Sequence, residues 1–450
     1  MLRWSLLAPG ALVLFGAFAS ANAGAAVRTT PPPMAFVRDD DSVTPITILD
    51  RRAKPAISMP VFSESQTPAS SGVAITPDGR TAYVTSEDAI GDVDTVTPID
   101  VRTRTAAHPI TVGQFPSGVA VTPNGRTVYV VNSGFGPNGS VTPSATSTNT
   151  PGAAILVKAA AGPLAISPDG TTVWVASQVA ASGRTPTIYL TPIDTATNTA
   201  GARFEVGHGY PQGMTVTPNG RTLYISNYLG TVIPVTLAAR MAGTPIAVGG
   251  SPAGIGVDPS GATVDVVDSA NGLVIPISTA TNTRRAAVHA GLDPWGLAWG
   301  PAGKTAWVID VNAVAGEVGG SLIAVTGGSV ASGIPVGAAP DSVAITPDQA
   351  PVARFSATPA GHGLPTRFDA SASVARSSAI ATYAWTFGDG TSASTTSPTV
   401  RHAYAAAGSY RVTLTLTDVA GTSTTRVFTG QTVLRNGGPG ARTSAAVTIR

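Results

Sequence analysis

Short apolar runs separated by proline and glycine turns recur along most of this chain. A typical unit has the run Val119 to Thr122, the turn Pro123-Asn124-Gly125, and a second run, Thr127 to Val131, in which valines alternate with Tyr129. A two-residue alternation is the period of a β-strand. In the turn, glycine supplies a positive φ and proline fixes the preceding corner. Each unit therefore predicts two strands joined by a tight turn.

The unit occurs seven times, the last time in truncated form. Successive turn prolines are 46, 45, 50, 41, 42 and 46 residues apart; they are Pro77, Pro123, Pro168, Pro218, Pro259, Pro301 and Pro347. A third run such as Thr95 to Asp100 and a fourth such as Pro109 to Gly113 separate the units. Four short strands in a period in the forties are typical of one blade of a β-propeller. We predict an all-β fold with a seven-bladed β-propeller over residues 34–350.

The seventh unit lacks its second strand, and the missing strands stand at the other end of the chain. Residues 341–347 supply an inner strand, but a different pattern follows. Met34 to Arg38 and Val43 to Thr47 match the second and third strands of the other units. We therefore expect residues 34–60 and 341–347 to form one shared blade, which closes the ring and removes free sheet edges.

The period stops at Pro351, and shorter alternating strands follow at about ten-residue spacing, the pattern of an Ig-like β-sandwich. We assign residues 351–450 to this second domain, with a last strand at Ser444 to Ile449. Asp389-Gly390 predicts a hairpin turn. Four aromatic side chains are expected in its core: Tyr383, Trp385, Phe387 and Tyr410.

Two regions resemble known families. Second strands reading Tyr-Val-Thr-Ser (83–86), Tyr-Val-Val-Asn (129–132) and Tyr-Ile-Ser-Asn (224–227) are similar to the YVTN propellers of bacterial and archaeal surface proteins. The Trp385 to Gly390 run, with the strand Gly408 to Asp418, resembles the PKD domain, an extracellular Ig-like module. Thr386 stands where PKD domains usually carry aspartate. Together the resemblances cover about residues 34–425 and imply a bacterial protein of the cell surface or the extracellular space.

The N-terminus predicts export. Residues 1–23 combine Arg3, the apolar run Leu6 to Phe18 and the site Ala21-Asn22-Ala23, which is typical of a cleaved signal peptide; residues 24–33 form a linker. No later stretch is apolar enough to span a membrane. The chain has no cysteine, so it has no disulfides, thiolate metal sites or lipid-modified cysteine.

Charge narrows the partners. The net charge is +2, without a basic stripe, which disfavours nucleic acid. We expect a monomer whose partner is an extracellular protein or a polysaccharide of the cell envelope.

The mouth of the central channel, where loops of all blades converge, is the predicted ligand site. The ligand-binding candidates are His208, Tyr210 and Trp295 in loops entering blades four and six, and Asn132 and Asn227 at the ends of second strands. Packing between blades is the alternative role for Trp295.

Aspartates end the second strands of three consecutive blades: Asp268, Asp310 and Asp39, with Asp40 and Asp41 alongside. Three adjacent carboxylates suit Ca²⁺, which prefers oxygen ligands. The alternative is that each side chain caps its own loop by accepting hydrogen bonds from backbone N–H groups.

These patterns favour a secreted or cell-surface, non-catalytic binding or scaffold protein, with the propeller presenting loops to a protein or glycan and the sandwich mediating adhesion. The alternative is a lactonase-like hydrolase or lyase at the channel mouth, using His208 with Asp268 and Asp310. A quinone-binding redox propeller would need a cofactor pocket that no motif marks. The Gly134 to Gly139 run matches G-x-G-x-x-G by letters, but no helix pattern follows it, so a loop is expected.

Overall fold

The computed structural model describes residues 33–39, 42–59, 72–87, 94–134, 139–311 and 319–450. The signal peptide at 1–23, the linker up to residue 32, Asp40, Asp41 and most of the Gly134 to Gly139 run lie outside the described residues. The described part contains no helix with the length and apolar character that a bilayer crossing requires.

Seven antiparallel sheets form a closed ring, which confirms the predicted seven-bladed propeller. The inner strand of each blade contacts the inner strands of both neighbours, and the seventh contacts the first. The inner strands of blades one to seven are Val73–Ile75, Pro116–Val121, Ala160–Ile166, Pro211–Val216, Pro252–Val257, Pro294–Trp299 and Ser342–Ile345. The second strands, in the same order, are Thr81–Ser86, Thr127–Asn132, Thr172–Ala181, Thr222–Asn227, Thr263–Asp268, Thr305–Asp310 and Met34–Asp39.

The third strands, again in blade order, are Thr95–Asp100, Ser140–Ala145, Arg184–Asp194, Thr231–Thr236, Leu273–Ser278, Ser321–Thr326 and Ser42–Thr47. The outer strand of every blade is two short pieces, and both pair with the third strand. These pieces are Thr105–Ala106 and Ile110–Thr111; Thr150–Pro151 and Ile155–Leu156; Thr199–Ala200 and Phe204–His208; Met241–Ala242 and Ile246–Ala247; Thr283–Arg284 and Val288–His289; Ser329–Val330 and Ile334–Pro335; Arg52–Ala53 and Ile57–Ser58.

Proline in the third strand explains the broken outer strand, which the sequence pattern predicts as one run. Pro143 pairs with Tyr129 on its inner side, and its carbonyl accepts a hydrogen bond from Gly152 N on its outer side at 2.7 Å. Proline has no N–H to continue the ladder outwards, so pairing stops there.

Blade seven joins the two ends of the propeller region, as predicted. Met34–Asp39 pairs with Ser42–Thr47 on one side and with Ser342–Ile345 on the other. Met34 N also donates to Thr346 Oγ1 at 2.8 Å, across 312 residues of sequence.

The second domain is the predicted β-sandwich. One sheet contains Ser356–Thr358, Pro365–Asp369 and Thr399–Ala403. The other contains, in spatial order, Ser392–Thr395, Ile380–Thr386, Gly408–Asp418 and Arg442–Ile449. Tyr383, Trp385 and Phe387 are buried in its core, while Tyr410 is partly buried and stacks on Tyr404 with ring centroids 4.2 Å apart.

Residues 419–441, which we call the plug segment, leave the sandwich between its last two paired strands and reach the propeller. Within it, Val433–Asn436 pairs with Val427–Phe428 and, in parallel, with Asp348–Gln349; a 3₁₀ turn, Pro439–Ala441, precedes the last strand. Phe428 and Val433 are buried in one apolar cluster with Ala120 of blade two and Ile166 of blade three. The two domains are therefore joined by a shared core as well as by the chain.

Candidate functional site

A cavity of about 450 Å³, the channel pocket, lies on the axis of the propeller. All seven inner strands line it, through residues that include Val73, Gly118, Leu164, Met214, Ile255, Leu297 and Val343. At one end the wall continues with residues of the plug segment: Thr429, Gln431, Thr432 and Leu434. The pocket is thus formed by both domains.

Backbone hydrogen bonds fix the plug segment to the ends of three inner strands. The N–H groups of Val121, Ile166 and Val216, the last residues of those strands in blades two, three and four, donate to the plug segment. Their acceptors are the carbonyls of Gln431, Gly430 and Thr429, at 3.1, 2.8 and 3.1 Å.

The side chain of Gln431 strengthens this floor. Its Nε2 donates to the carbonyls of Leu164 at 3.0 Å and Met214 at 2.7 Å. Both acceptors are backbone groups on the channel axis that no neighbouring strand pairs. The channel is therefore closed at the end where the inner strands finish.

At the opposite end, one position of the repeat supplies the side chains of the pocket mouth. It is the residue directly after the proline that opens the inner strand, and it varies between blades: Ser117, Gln212, Ala253, Trp295 and Asp341. Sequence reasoning named only Trp295 of this set. The signal that finds the others is a variable residue inside an otherwise constant motif.

Of the predicted ligand-binding residues, Tyr210 and Trp295 line the channel pocket. Tyr210 is 40% exposed, and Trp295 is partly buried against the core between blades five and six. Trp295 therefore both packs and faces the pocket.

Asn132 and Asn227 lie beneath the mouth as loop caps. Asn132 Oδ1 accepts from Gly113 N at 3.1 Å. Asn227 Oδ1 accepts from Tyr210 N at 2.9 Å, and its Nδ2 donates to the carbonyl of His208 at 3.1 Å. Asn227 thus positions the loop that carries Tyr210 without lining the pocket itself.

The three aspartates considered for Ca²⁺ occupy the same capping position, each in its own blade. Asp268 Oδ1 accepts from Ser251 N at 2.9 Å, and Asp310 Oδ1 accepts from Leu292 N and Asp293 N at 3.0 and 2.8 Å. Asp39 accepts from Gly337 N at 3.2 Å and from the hydroxyls of Ser42 and Thr44.

The structure does not gather these aspartates into one site. Among the residues it describes, no group of three or more histidine, cysteine, aspartate or glutamate side chains is placed to hold a metal ion. The physical reason is that the carboxylates face their own entering loops, whose N–H groups need acceptors.

His208 does not meet Asp268 or Asp310, its predicted partners in the lactonase alternative. It ends the outer strand of blade three, with an exposed ring. Its ring nitrogens contact Glu205 Oε1 at 3.6 Å and Thr187 Oγ1 at 3.4 Å. The candidate acid–base group is therefore dispersed.

Charge at the mouth is largely compensated. Asp341 Oδ2 accepts from Arg38 Nη1 in an ion pair across blade seven, with side chains only 2% and 14% exposed. Nearby, burial raises the pKa of Glu87, with a further contribution from the Asp94 carboxylate, while Arg38 opposes the shift.

Solved structures share the propeller fold at low sequence identity. Hydrazine synthase of Kuenenia stuttgartiensis matches 67% of this chain and 98% of its own, with TM-score 0.55 and 19% identity. A putative 6-phosphogluconolactonase of Bacteroides fragilis matches 71% and 99%, with TM-score 0.54 and 16% identity. A periplasmic gluconolactonase of Pseudomonas aeruginosa matches 70% and 99%, with TM-score 0.55 and 16% identity.

These likenesses show the fold alone, and the YVTN resemblance stays a prediction. No curated protein sequence matches the chain. Residues 348–433, however, match the family model of the PKD domain. The chain therefore carries a PKD domain, beginning at the strand Asp348–Gln349 and including most of the plug segment.

Proposed function

We propose that this chain is a non-catalytic binding protein of the cell surface or extracellular space. Its ligand enters the channel pocket, and the PKD domain makes adhesive contact with a protein or polysaccharide of the cell envelope.

One observation carries the proposal: the PKD domain itself forms the floor of the propeller pocket. Gln431 and its neighbours turn an open channel into a blind pocket of about 450 Å³, within the size range of small-molecule sites. A ligand in that pocket touches both domains at once, so ligand capture and the presumed adhesive module form one unit.

Two further observations support it. PKD domains are typical of extracellular proteins, which agrees with the export signal expected at the N-terminus. The side chains considered for catalysis (His208, Asp268 and Asp310) hold separate structural roles, and general acid–base chemistry needs its groups within hydrogen-bond reach.

Retention of envelope polysaccharide by the full-length mature protein tests the proposal. We expect wild type to retain a polysaccharide fraction and Tyr210→Ala to lose it, because Tyr210 lines the pocket. Tyr228→Ala is the matched control, since Tyr228 is a similarly exposed tyrosine (46%) of the same blade that does not line the pocket. Equal retention by wild type and Tyr210→Ala would contradict a pocket-based role.

The lactonase-like alternative is tested on the same proteins. Base uptake at constant pH follows hydrolysis of D-glucono-1,5-lactone, and the proposal expects the rate to equal that without protein. Acceleration by wild type that Tyr210→Ala abolishes and Tyr228→Ala retains would replace the binding role with an enzymatic one.

A further inference from the structure

The described wall of the channel pocket carries a single charged side chain, that of Asp341. Its carboxylate already pairs with Arg38, and both side chains are mostly buried. A phosphate or carboxylate ligand would need a cation to replace its lost hydration. The described wall includes no lysine, arginine or histidine, so it offers an anion no such partner.

Neutral hydrogen-bonding groups line the pocket instead. At the mouth stand the amide of Gln212, the amide of Gln178 and the hydroxyls of Ser117 and Ser133; at the floor stand Gln431 and Thr432. An amide side chain both donates and accepts, as does a hydroxyl. Such a set matches a ligand with many uncharged hydroxyl or amide groups.

Aromatic side chains provide the apolar part of the site. Tyr210 stands at the rim with 40% of its surface exposed, and Trp295 faces the pocket from blade six. Aromatic rings with one wet edge suit ligands that have an apolar face and a polar rim. The C–H faces and equatorial hydroxyls of a pyranose ring combine these two properties.

The closed floor decides how a polymer can enter. The pocket of about 450 Å³ holds one or two pyranose rings, and the plug segment blocks passage through the propeller. A polysaccharide can therefore insert only a chain end, and an internal stretch has no exit.

We infer that the channel pocket binds the terminal one or two units of a neutral saccharide. This inference rests on the proposed binding function and specifies its ligand class: uncharged, polyhydroxylated, and recognised at a chain end.

Calorimetric titration of the full-length protein with defined probes tests the inference. The neutral probes are maltose, cellobiose and N,N′-diacetylchitobiose, and the anionic probes are glucose 6-phosphate, 6-phosphogluconate and glucuronate. We expect at least one neutral probe to bind and the anionic probes not to. Raising NaCl from about 50 to about 300 mM should change its Kd less than about twofold, because no ion pair forms with the ligand.

Two matched pairs of variants locate the binding. Tyr210→Ala and Gln212→Ala should each weaken the neutral probe about tenfold, whereas Tyr228→Ala and Gln114→Ala should leave it within about twofold. Gln114 is an exposed glutamine outside the pocket wall.

The other outcomes are separable. Preference for an anionic probe, with strong salt dependence and loss in Tyr210→Ala, would overturn the neutral class while leaving the binding pocket intact. Absence of binding by every probe would also overturn the saccharide inference. If Tyr210→Ala still retained envelope polysaccharide, the proposed pocket function itself would fail.

Discussion

At the residue scale, one tyrosine position holds neighbouring blades together. The hydroxyls of Tyr83, Tyr129 and Tyr224 donate to asparagine side chains of the next blade: Asn149, Asn198 and Asn282, at 2.8, 2.7 and 2.7 Å. Those asparagines have φ of 53°, 54° and 53°, a conformation that asparagine tolerates better than most residues. The repeated Tyr and Asn of the sequence are therefore two halves of one contact between blades.

Removing one such hydroxyl should weaken one blade interface. Tyr129→Phe deletes the hydrogen bond to Asn198 and leaves the buried ring in place, so we expect a loss of about 1 kcal/mol in the free energy of unfolding. Urea unfolding followed by intrinsic fluorescence measures it. Tyr228→Phe, at an exposed ring, should change nothing; equal loss in both variants would contradict the contact.

Blade five departs from this pattern. Asp265 occupies the aromatic position there; it is 5% exposed, and its Oδ1 is buried without a hydrogen-bond partner among the described residues. Burial, reinforced by the Asp258 carboxylate, raises the pKa of Asp265 to about 7. The folded protein therefore holds a proton on Asp265 that the unfolded chain releases near pH 4.

This proton makes stability depend on pH. Because the folded pKa is the higher one, the stabilising effect is complete below about pH 4 and is lost as pH rises through about 7. Asp265→Asn should abolish this slope and raise the free energy of unfolding by about 2–4 kcal/mol at pH 8. Urea midpoints at pH 5 and pH 8 test it, with Glu205→Gln as an exposed control. A variant that keeps the wild-type slope would show that another group titrates.

At the element scale, the plug segment is a short stretch whose backbone groups satisfy strand ends of another domain. Its carbonyls accept from Val121, Ile166 and Val216, N–H groups that would otherwise lack partners at the end of the channel. Buried backbone groups without partners are costly, so the segment stabilises the propeller as well as its own domain.

Gln431→Ala should show this dependence. The change leaves the carbonyls of Leu164 and Met214 without their side-chain donor, and we expect a loss of about 1–3 kcal/mol. Hydrogen exchange should also accelerate at the amides of Val121, Ile166 and Val216, in three different blades. Gln114→Ala is the exposed control. Acceleration confined to residues 419–441 would mean that the propeller does not rely on the plug segment.

How much of the fold the sequence predicted follows from where its information is local. Strand alternation and the Pro-Asn-Gly turn depend on adjacent residues, so Thr95–Asp100 and Gly408–Asp418 have the predicted bounds. The plug segment depends on contacts with residues more than 200 positions away, and no local pattern marks it. The pocket mouth lies between: Tyr210 and Trp295 were recognisable by type, whereas Gln212 and Ser117 required comparison of the repeats.

At the scale of the whole molecule, an ionic group ties blade six to the PKD domain. Arg435 Nε donates to the carbonyl of Pro301 at 2.7 Å, and its charge acts on Asp348, Asp418 and Asp258. Burial and the adjacent Asp348 carboxylate raise the pKa of Asp418. Arg435 therefore both bridges the domains and offsets a buried pair of acids.

Arg435→Ala should separate the unfolding of the two domains. Without the guanidinium, Asp348 and Asp418 repel each other at the junction, and the bond to Pro301 is lost. We expect one calorimetric transition for wild type at pH 7 and two for the variant, with Arg442→Ala, at an exposed position, behaving as wild type. A single unshifted transition in Arg435→Ala would contradict this coupling.

The shared seventh blade also constrains biosynthesis. Met34 and Thr346 are among the first and last residues of the ring, so a chain emerging from a ribosome or an export channel carries six and a half blades before its partner strand exists. Throughout that interval the inner edge of Met34–Asp39 is bare, and bare strand edges pair with other chains. Such a protein needs a holding chaperone during transport, and a premature stop anywhere before residue 342 should yield insoluble material.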